Sequence, residues 1–186
     1  MKKLRLIALL VTGSLLFNAC KDDDNGNPGP TVPEADRMFV TNAADGGMFE
    51  VKAGELAVAK GDSTPSGMVM GGDSMSIKSF GQMMITDHTK ANNELKTLAD
   101  SKDVNVPTTL SAAKQKMIDS LSSATGAAFN MMYAKMMVSS HEETVSLFEK
   151  QAAGGQDAEL KSWASQKLPT LKHHLEMAEM MHEEVK

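Results

Sequence analysis

The sequence contains a single cysteine, Cys20, so no intramolecular disulfide can form and the fold must depend on a buried core. Aromatic residues are also scarce, at 4% of the chain against 41% hydrophobic residues, which is typical of helix-rich globular proteins. The apolar stretch from Leu6 to Phe17 is too short to span a bilayer, which needs roughly 20 residues. The 186 residues correspond to one domain.

An excess of positive charge is also lacking. Residues 1–19 hold three basic and no acidic side chains, so the remaining chain has 16 Lys and Arg against 24 Asp and Glu, a net charge of −8. Such a balance argues against nucleic acid and against an anionic lipid surface as partners.

The N-terminal segment is typical of an export signal. Basic residues are followed by the apolar stretch and by small Ala19, which predicts a lipoprotein signal peptide over residues 1–19. Cys20 lies where such a peptide is cut, so we expect it to carry the lipid that anchors the protein to a membrane. Phe17 and Asn18 depart from the usual residues at this position, and the alternative is a plain secretory signal followed by a free thiol.

Residues 20–33 are predicted to form a disordered acidic tether behind the lipidated cysteine, because they are rich in Asp, Pro and Gly. The run Lys21–Asp24 resembles the acidic export signal of surface-exposed lipoproteins, and the alternative is a generic solvated linker. We therefore expect a cell-envelope protein, anchored at the outer membrane on its periplasmic or surface face.

Residues 34–186 have the period of amphipathic helices and no strand pattern. Gly and Pro clusters, including Pro107, Gly126 and the loop 61–75, separate the helical segments. The predicted helices cover about 34–60, 75–102, 111–124, 126–153 and 157–184, with Asp73 or Ser74 as the cap of the second. This organisation predicts an all-α four-helix bundle with an extra short helix between its second and third long helices.

Each long helix carries one polar, ligand-capable residue on its apolar face: Glu50, His88, His141 and His174. Because a helix rises about 1.5 Å per residue, all four can lie at one level of the bundle. Three imidazoles and a carboxylate suit Zn, Fe, Mn, Cu or Ni. Neighbours that could orient or replace these metal ligands are Asp87, Tyr133, Glu142 and His173. The alternative is a buried polar network that only fixes helix register.

The 16 methionines are a second signal, since thioethers are soft ligands that would favour Cu(I), although Met is also an ordinary core residue. Glu179 and His182 have the E-x-x-H spacing of di-iron sites but lack a matching pair, so we do not expect a di-iron oxidase. No catalytic triad, phosphate loop or cysteine nucleophile is present, and we assign no catalytic residue.

Four motifs occur in a characteristic order: AADGGMFEVKAGELA, IKSFGQMMITDHTKANNEL, FNMMYAKMMVSSHEETVSLF and LPTLKHHLEMA. In this order they resemble the exported, ferritin-like bacterial family catalogued as domain of unknown function 4142, over residues 34–182. The chain departs from that family at Asn130, where the family usually has Asp, and in its longer loop 61–75. The resemblance implies a ferritin-like fold but no reaction.

Three functions remain open at this stage, and the weakest is hydrolysis or oxidation at a metal ion in the bundle centre. The first is an envelope module that binds a metal ion through Glu50, His88, His141 and His174. The second is a non-catalytic interaction or structural protein, with the loop 61–75 as a surface for an unknown protein partner.

Overall fold

The computed structural model describes residues 32–64, 69–70 and 73–186. The predicted signal peptide, Cys20 and nearly all of the predicted tether lie outside the described residues. Among the described residues, no helix is both long and apolar enough to cross a membrane. The described part of the chain forms five helices: α1 (Glu34–Lys60), α2 (Ile77–Asp100), α3 (Ala112–Ser123), α4 (Gly126–Gly154) and α5 (Ala158–Glu184).

The predicted helix boundaries agree with these bounds to within about two residues, and local caps explain them. Ser76 caps α2, and its hydroxyl accepts from Ser79 N while the Ser79 hydroxyl accepts from Ser76 N. The predicted caps, Asp73 and Ser74, instead form the two-residue strand β2, which pairs antiparallel with β1 (Val69–Met70). This short hairpin lies in the segment that was predicted to be a loop without strands.

Helix α5 begins at a similar cap, where Asp157 accepts hydrogen bonds from two backbone N–H groups of the first turn. Gly126 opens α4 with φ of +57°, a left-handed conformation that glycine adopts without strain. Gly126 thus lies at the turn before α4 and Asp157 at the turn after it. The second turn reverses the chain, so α5 packs back against α4.

The four long helices form a helical bundle in which α1 packs on α2 and α4, and α5 packs on α4 and, more sparsely, on α2. Gly54 and Gly81 bring α1 and α2 into backbone contact, because a Cβ on Gly54 would lie 2.7 Å from the Gly81 carbonyl oxygen. Helix α3 packs across α1 and α4.

Two hydrophobic clusters fill the bundle, one toward each end. The first contains Phe49, Phe80, Tyr133 and Met177, and the second contains Phe39, Leu95, Phe148 and Leu160. Val32, assigned to the tether by its composition, is buried in the second cluster, so packing begins before α1. Between the clusters lies a layer of buried polar residues: Glu50, His88, Ser140, His141, Thr144 and His174.

Candidate metal centre

Three histidines from three helices meet in this polar layer. His88 on α2, His141 on α4 and His174 on α5 are each at most 4% exposed, and their ring centroids are 5.4–5.5 Å apart. One ring nitrogen of each lies within 4.8 Å of the others. The structure therefore brings together the three histidines that the sequence placed on separate apolar faces.

His88 is backed by Glu50. Its Nδ1 lies 2.9 Å from Glu50 Oε2, an ion-pair distance, although this oxygen is outside hydrogen-bond geometry. The other carboxylate oxygen accepts hydrogen bonds from the hydroxyls of Ser140, at 2.9 Å, and Thr144, at 3.4 Å. Glu50, predicted as a metal ligand, thus lies on the Nδ1 side of His88 and outside the group formed by the three rings.

The other two histidines are also held from one side. His141 Nδ1 lies 2.9 Å from the Met137 carbonyl oxygen, and His174 Nε2 lies 3.0 Å from Asp87 Oδ2. A carbonyl oxygen or a carboxylate can only accept, so these two nitrogens carry the protons. When each ring is neutral, its other nitrogen has a free lone pair.

The nitrogens on the opposite sides are buried and, among the described residues, have no hydrogen-bond partner: His88 Nε2, His141 Nε2 and His174 Nδ1. Leaving a buried polar atom unpaired is costly, and one ion bound by all three nitrogens would satisfy them together. A tetrahedral ion with bonds of about 2.0–2.1 Å separates its nitrogen ligands by roughly 3.4 Å. Small ring movements would reach this spacing, so the three histidines could hold a metal ion.

Electrostatics divides the polar layer into a charged pair and two neutral rings. Burial alone would raise the pKa of Glu50, but His88, His141 and the Ser140 hydroxyl outweigh it and hold that pKa below its usual range. Burial lowers the pKa of His88, and the Glu50 carboxylate overcomes this effect and raises it. The pair is therefore stabilised as carboxylate and imidazolium when no ion is bound.

The other two rings favour the neutral form that binds metal. Burial lowers the pKa of His141, with the Glu50 carboxylate opposing that shift. Burial, together with the neighbouring His88 and His141, lowers the pKa of His174 to about 4 despite its contact with Asp87. At neutral pH, only His88 must release a proton before all three rings can coordinate an ion.

Not every predicted neighbour reaches the histidines. Glu142 and His173 are exposed, because each is one residue from a buried histidine and so points about 100° away around its helix. Asn130 lies elsewhere, where its side-chain oxygen accepts from Asp62 N at 3.2 Å. Tyr133 is buried, and burial and the Glu50 charge raise its pKa, so it remains a neutral phenol.

Glu50 accepts from two hydroxyls that were not predicted from the sequence, those of Ser140 and Thr144. Their spacing of four residues on α4 was the available signal, because it places the two hydroxyls on one side of the helix. The methionines nearest the histidines along their helices, Met84, Met137 and Met177, are buried in the first hydrophobic cluster. They have the packing of core residues.

A cavity of about 200 Å³ adjoins the histidines between α2 and α5. Its inner wall includes Glu50, His88 and His174, and its outer wall includes the exposed Lys90 and Thr170. The cavity therefore reaches from the surface to the outer side of the polar layer, while the three converging nitrogens themselves are buried.

The comparisons with known proteins gave one finding. Residues 23–181 match the model of a family described as a domain of unknown function (DUF4142), and this stretch includes all four residues of the predicted ligand set. Searches of curated proteins and of solved structures found no significant match.

Proposed function

The chain belongs to the DUF4142 family, and we propose that it is a lipid-anchored protein of the cell envelope that binds one transition-metal ion through His88, His141 and His174. The observation that carries this proposal is the convergence of three buried imidazoles, each with one nitrogen that has no hydrogen-bond partner in the described part of the chain. The family has no assigned function, so the metal-binding part of the proposal depends on the geometry alone.

The partners behind the rings support metal binding. Histidine ligands in metal sites generally place their second nitrogen against a carboxylate or a backbone carbonyl, which fixes the tautomer and the ring orientation. Here Glu50, the Met137 carbonyl and Asp87 provide one such partner for each ring. A core histidine that needed only to satisfy its hydrogen bonds would not require three such arrangements around one point.

The donor set favours particular ions. Three imidazoles and no thiolate suit Zn, Fe or Cu, and a three-histidine set with an open position is typical of catalytic zinc sites. The nearby carboxylates, Glu50 and Asp87, lie behind histidines and do not bridge two metal positions, which disfavours a di-iron centre. We therefore propose a mononuclear site, with Zn²⁺ as the first ion to test.

The placement of the site also supports a ferritin-like arrangement. Four long helices each direct one side chain into the same layer, as in bundles that build metal sites from facing helices. The lipid anchor at Cys20 and the outer-membrane location belong to the same proposal and rest on the sequence of residues 1–24.

One observation favours a second function. Glu50 and His88 form a buried ion pair without any metal, and Ser140 and Thr144 complete the surroundings of the carboxylate. Such a network could fix helix register in a non-catalytic interaction protein. It does not account for the free nitrogens of His141 and His174, which is why we place metal binding first.

The deciding experiment measures bound metal by elemental mass spectrometry in protein of residues 21–186, purified without chelator and without a nickel column. We expect about one ion per chain, lost in the His141→Ala, His174→Ala double variant and retained in His173→Ala, which removes an exposed neighbouring histidine. Absence of metal from the wild-type protein after incubation with Zn²⁺, Fe²⁺ and Cu²⁺ would leave the buried network as the function.

A further inference from the structure

The cavity between α2 and α5 has carboxylates at one end and hydrogen-bond donors at the other. Toward the polar layer, its wall includes the carboxylates of Glu50 and Asp87. Toward the surface, its wall includes the ammonium of Lys90, the amide of Asn92 and the hydroxyl of Thr170, all of which can donate. The wall is therefore negative on the inner side and positive on the outer side.

The inner carboxylates can accept more hydrogen bonds than the protein gives them. Asp87 is 40% exposed, its Oδ2 lies 3.0 Å from His174 Nε2, and its Oδ1 has no hydrogen-bond partner among the described residues. Glu50 Oε2 is buried and lies 2.9 Å from His88 Nδ1, but it also has no hydrogen-bond partner there. Because each carboxylate oxygen has two lone pairs, a cationic donor in the cavity would find an acceptor at this end.

Lys90 follows Asp87 by three residues on α2, a spacing at which a lysine and a carboxylate are neighbours and commonly pair. Here they do not: Asp87 faces His174, and Lys90 forms no ion pair within the described part of the chain. The other lysine of the cavity wall, Lys167, already pairs with Glu94. The cavity therefore lies beside one carboxylate and one ammonium that are close on the helix and open to a ligand.

We propose that the cavity binds a small zwitterion, an amino acid whose ammonium contacts Asp87 and whose carboxylate contacts Lys90. Asn92 and Thr170 supply further donors to that carboxylate, and Ala91 lies in the wall as an apolar contact. At about 30 Å³ for each water molecule, a cavity of about 200 Å³ holds roughly six waters, which limits the ligand to about six non-hydrogen atoms. Glycine and alanine have this size. The inference requires no metal ion and goes beyond the proposed function.

The test titrates the purified protein with alanine in a calorimeter, after metal has been removed with chelator and dialysis because amino acids themselves bind metal ions. We expect saturable binding of alanine. Acetate and methylamine, which each carry one of its two charges, should bind about tenfold more weakly or less. Lys90→Met should weaken alanine binding about tenfold, whereas Lys96→Met, on the same helix but exposed and paired with Asp100, should leave it unchanged.

A second variant closes the space itself. Ala91→Met places a larger side chain on the cavity wall and should abolish alanine binding, whereas Ala59→Met, at an exposed site of α1, should preserve it. No alanine binding to the wild-type protein, acetate binding as tight as that of alanine, or equal alanine affinity in Lys90→Met, Ala91→Met and the wild type would overturn the inference. Because metal is absent throughout, these outcomes leave the proposed metal site to be decided by the elemental analysis.

Discussion

The carboxylate of Asp87 lies 3.0 Å from Nε2 of His174, and this contact joins α2 to α5, which pack on each other only sparsely. Asp87 directly precedes His88 on α2. One of these adjacent residues therefore contributes a ring to the cluster, and the other holds the ring of His174. The side chain of Asp87 is 40% exposed, whereas Glu50 is fully buried. The two carboxylates can therefore be altered with very different consequences for the fold.

Asp87→Asn should reduce metal affinity about 10- to 100-fold while the fold is retained. The amide keeps a side chain of similar shape but removes the negative charge that strengthens His174 as a ligand. Competition with a zinc chelator gives the affinity, and Asp100→Asn, an exposed change on the same helix, is the matched control. Equal affinities in Asp87→Asn and wild-type protein would show that His174 does not depend on this contact.

The metal-free protein should lose stability as the pH falls from about 6.5 to about 4. Burial and the neighbouring histidines hold the pKa of His174 at about 4, against 6.5 as its ordinary value. The unfolded chain therefore binds a proton in this window that the native chain does not, and acid favours unfolding.

His88 acts with the opposite sign, because Glu50 raises its folded pKa above 6.5. Its contribution is fully present below pH 6.5 and is lost as the pH rises through the folded pKa. Melting temperatures in chelator from pH 4.5 to 8 should thus peak near pH 6.5. His174→Gln should reduce the fall in melting temperature below pH 6.5, whereas His173→Gln should not. An unchanged fall in His174→Gln would contradict the attribution of this pH dependence to His174.

Two glycines of α1 should respond in opposite ways to alanine. Gly54→Ala would place its Cβ 2.7 Å from the Gly81 carbonyl oxygen, a backbone atom that cannot rotate away, and should cost about 1–3 kcal/mol of unfolding free energy. Gly46→Ala meets only the Thr144 hydroxyl at 3.5 Å and should gain up to about 1 kcal/mol from helix propensity. Urea denaturation of both variants measures the difference, and equal effects would argue against the close α1–α2 approach.

Asp36→Ala should be among the most destabilising single changes, at about 3 kcal/mol or more. Its buried carboxylate accepts from Gln151 Nε2 at 2.8 Å and from the backbone N–H groups of Gln156 and Asp157. Glu34→Ala, an exposed acidic residue in the same turn, should cost little by comparison. Both variants should retain full metal content per folded chain, since neither residue touches the histidines. A small effect of Asp36→Ala in denaturant would contradict this account.

The helices were predictable because their boundaries depend on nearby residues. Ser111 caps α3, Asp157 caps α5, and Gly126 separates α3 from α4. The apolar period identifies the inner face of each helix. The same period placed the three histidines inward. It could not show that Glu50 lies behind His88, because spacing fixes the face and the height of a residue but not its rotamer. Asp36 was missed for a related reason: an acidic residue in a first helical turn is usually a surface charge, and only the distant Gln151 makes it a buried acceptor.

The bonds of Asp36 also decide how the domain would respond to mechanical load. A pull on the chain ahead of Pro33 would reach the first turn of α1, which is held by Asp36 to the turn between α4 and α5. The force would be transmitted to α4 and α5, which carry His141 and His174, and α1 would not separate from the bundle by itself. A domain held by its N-terminus at a membrane would therefore resist shear as a unit.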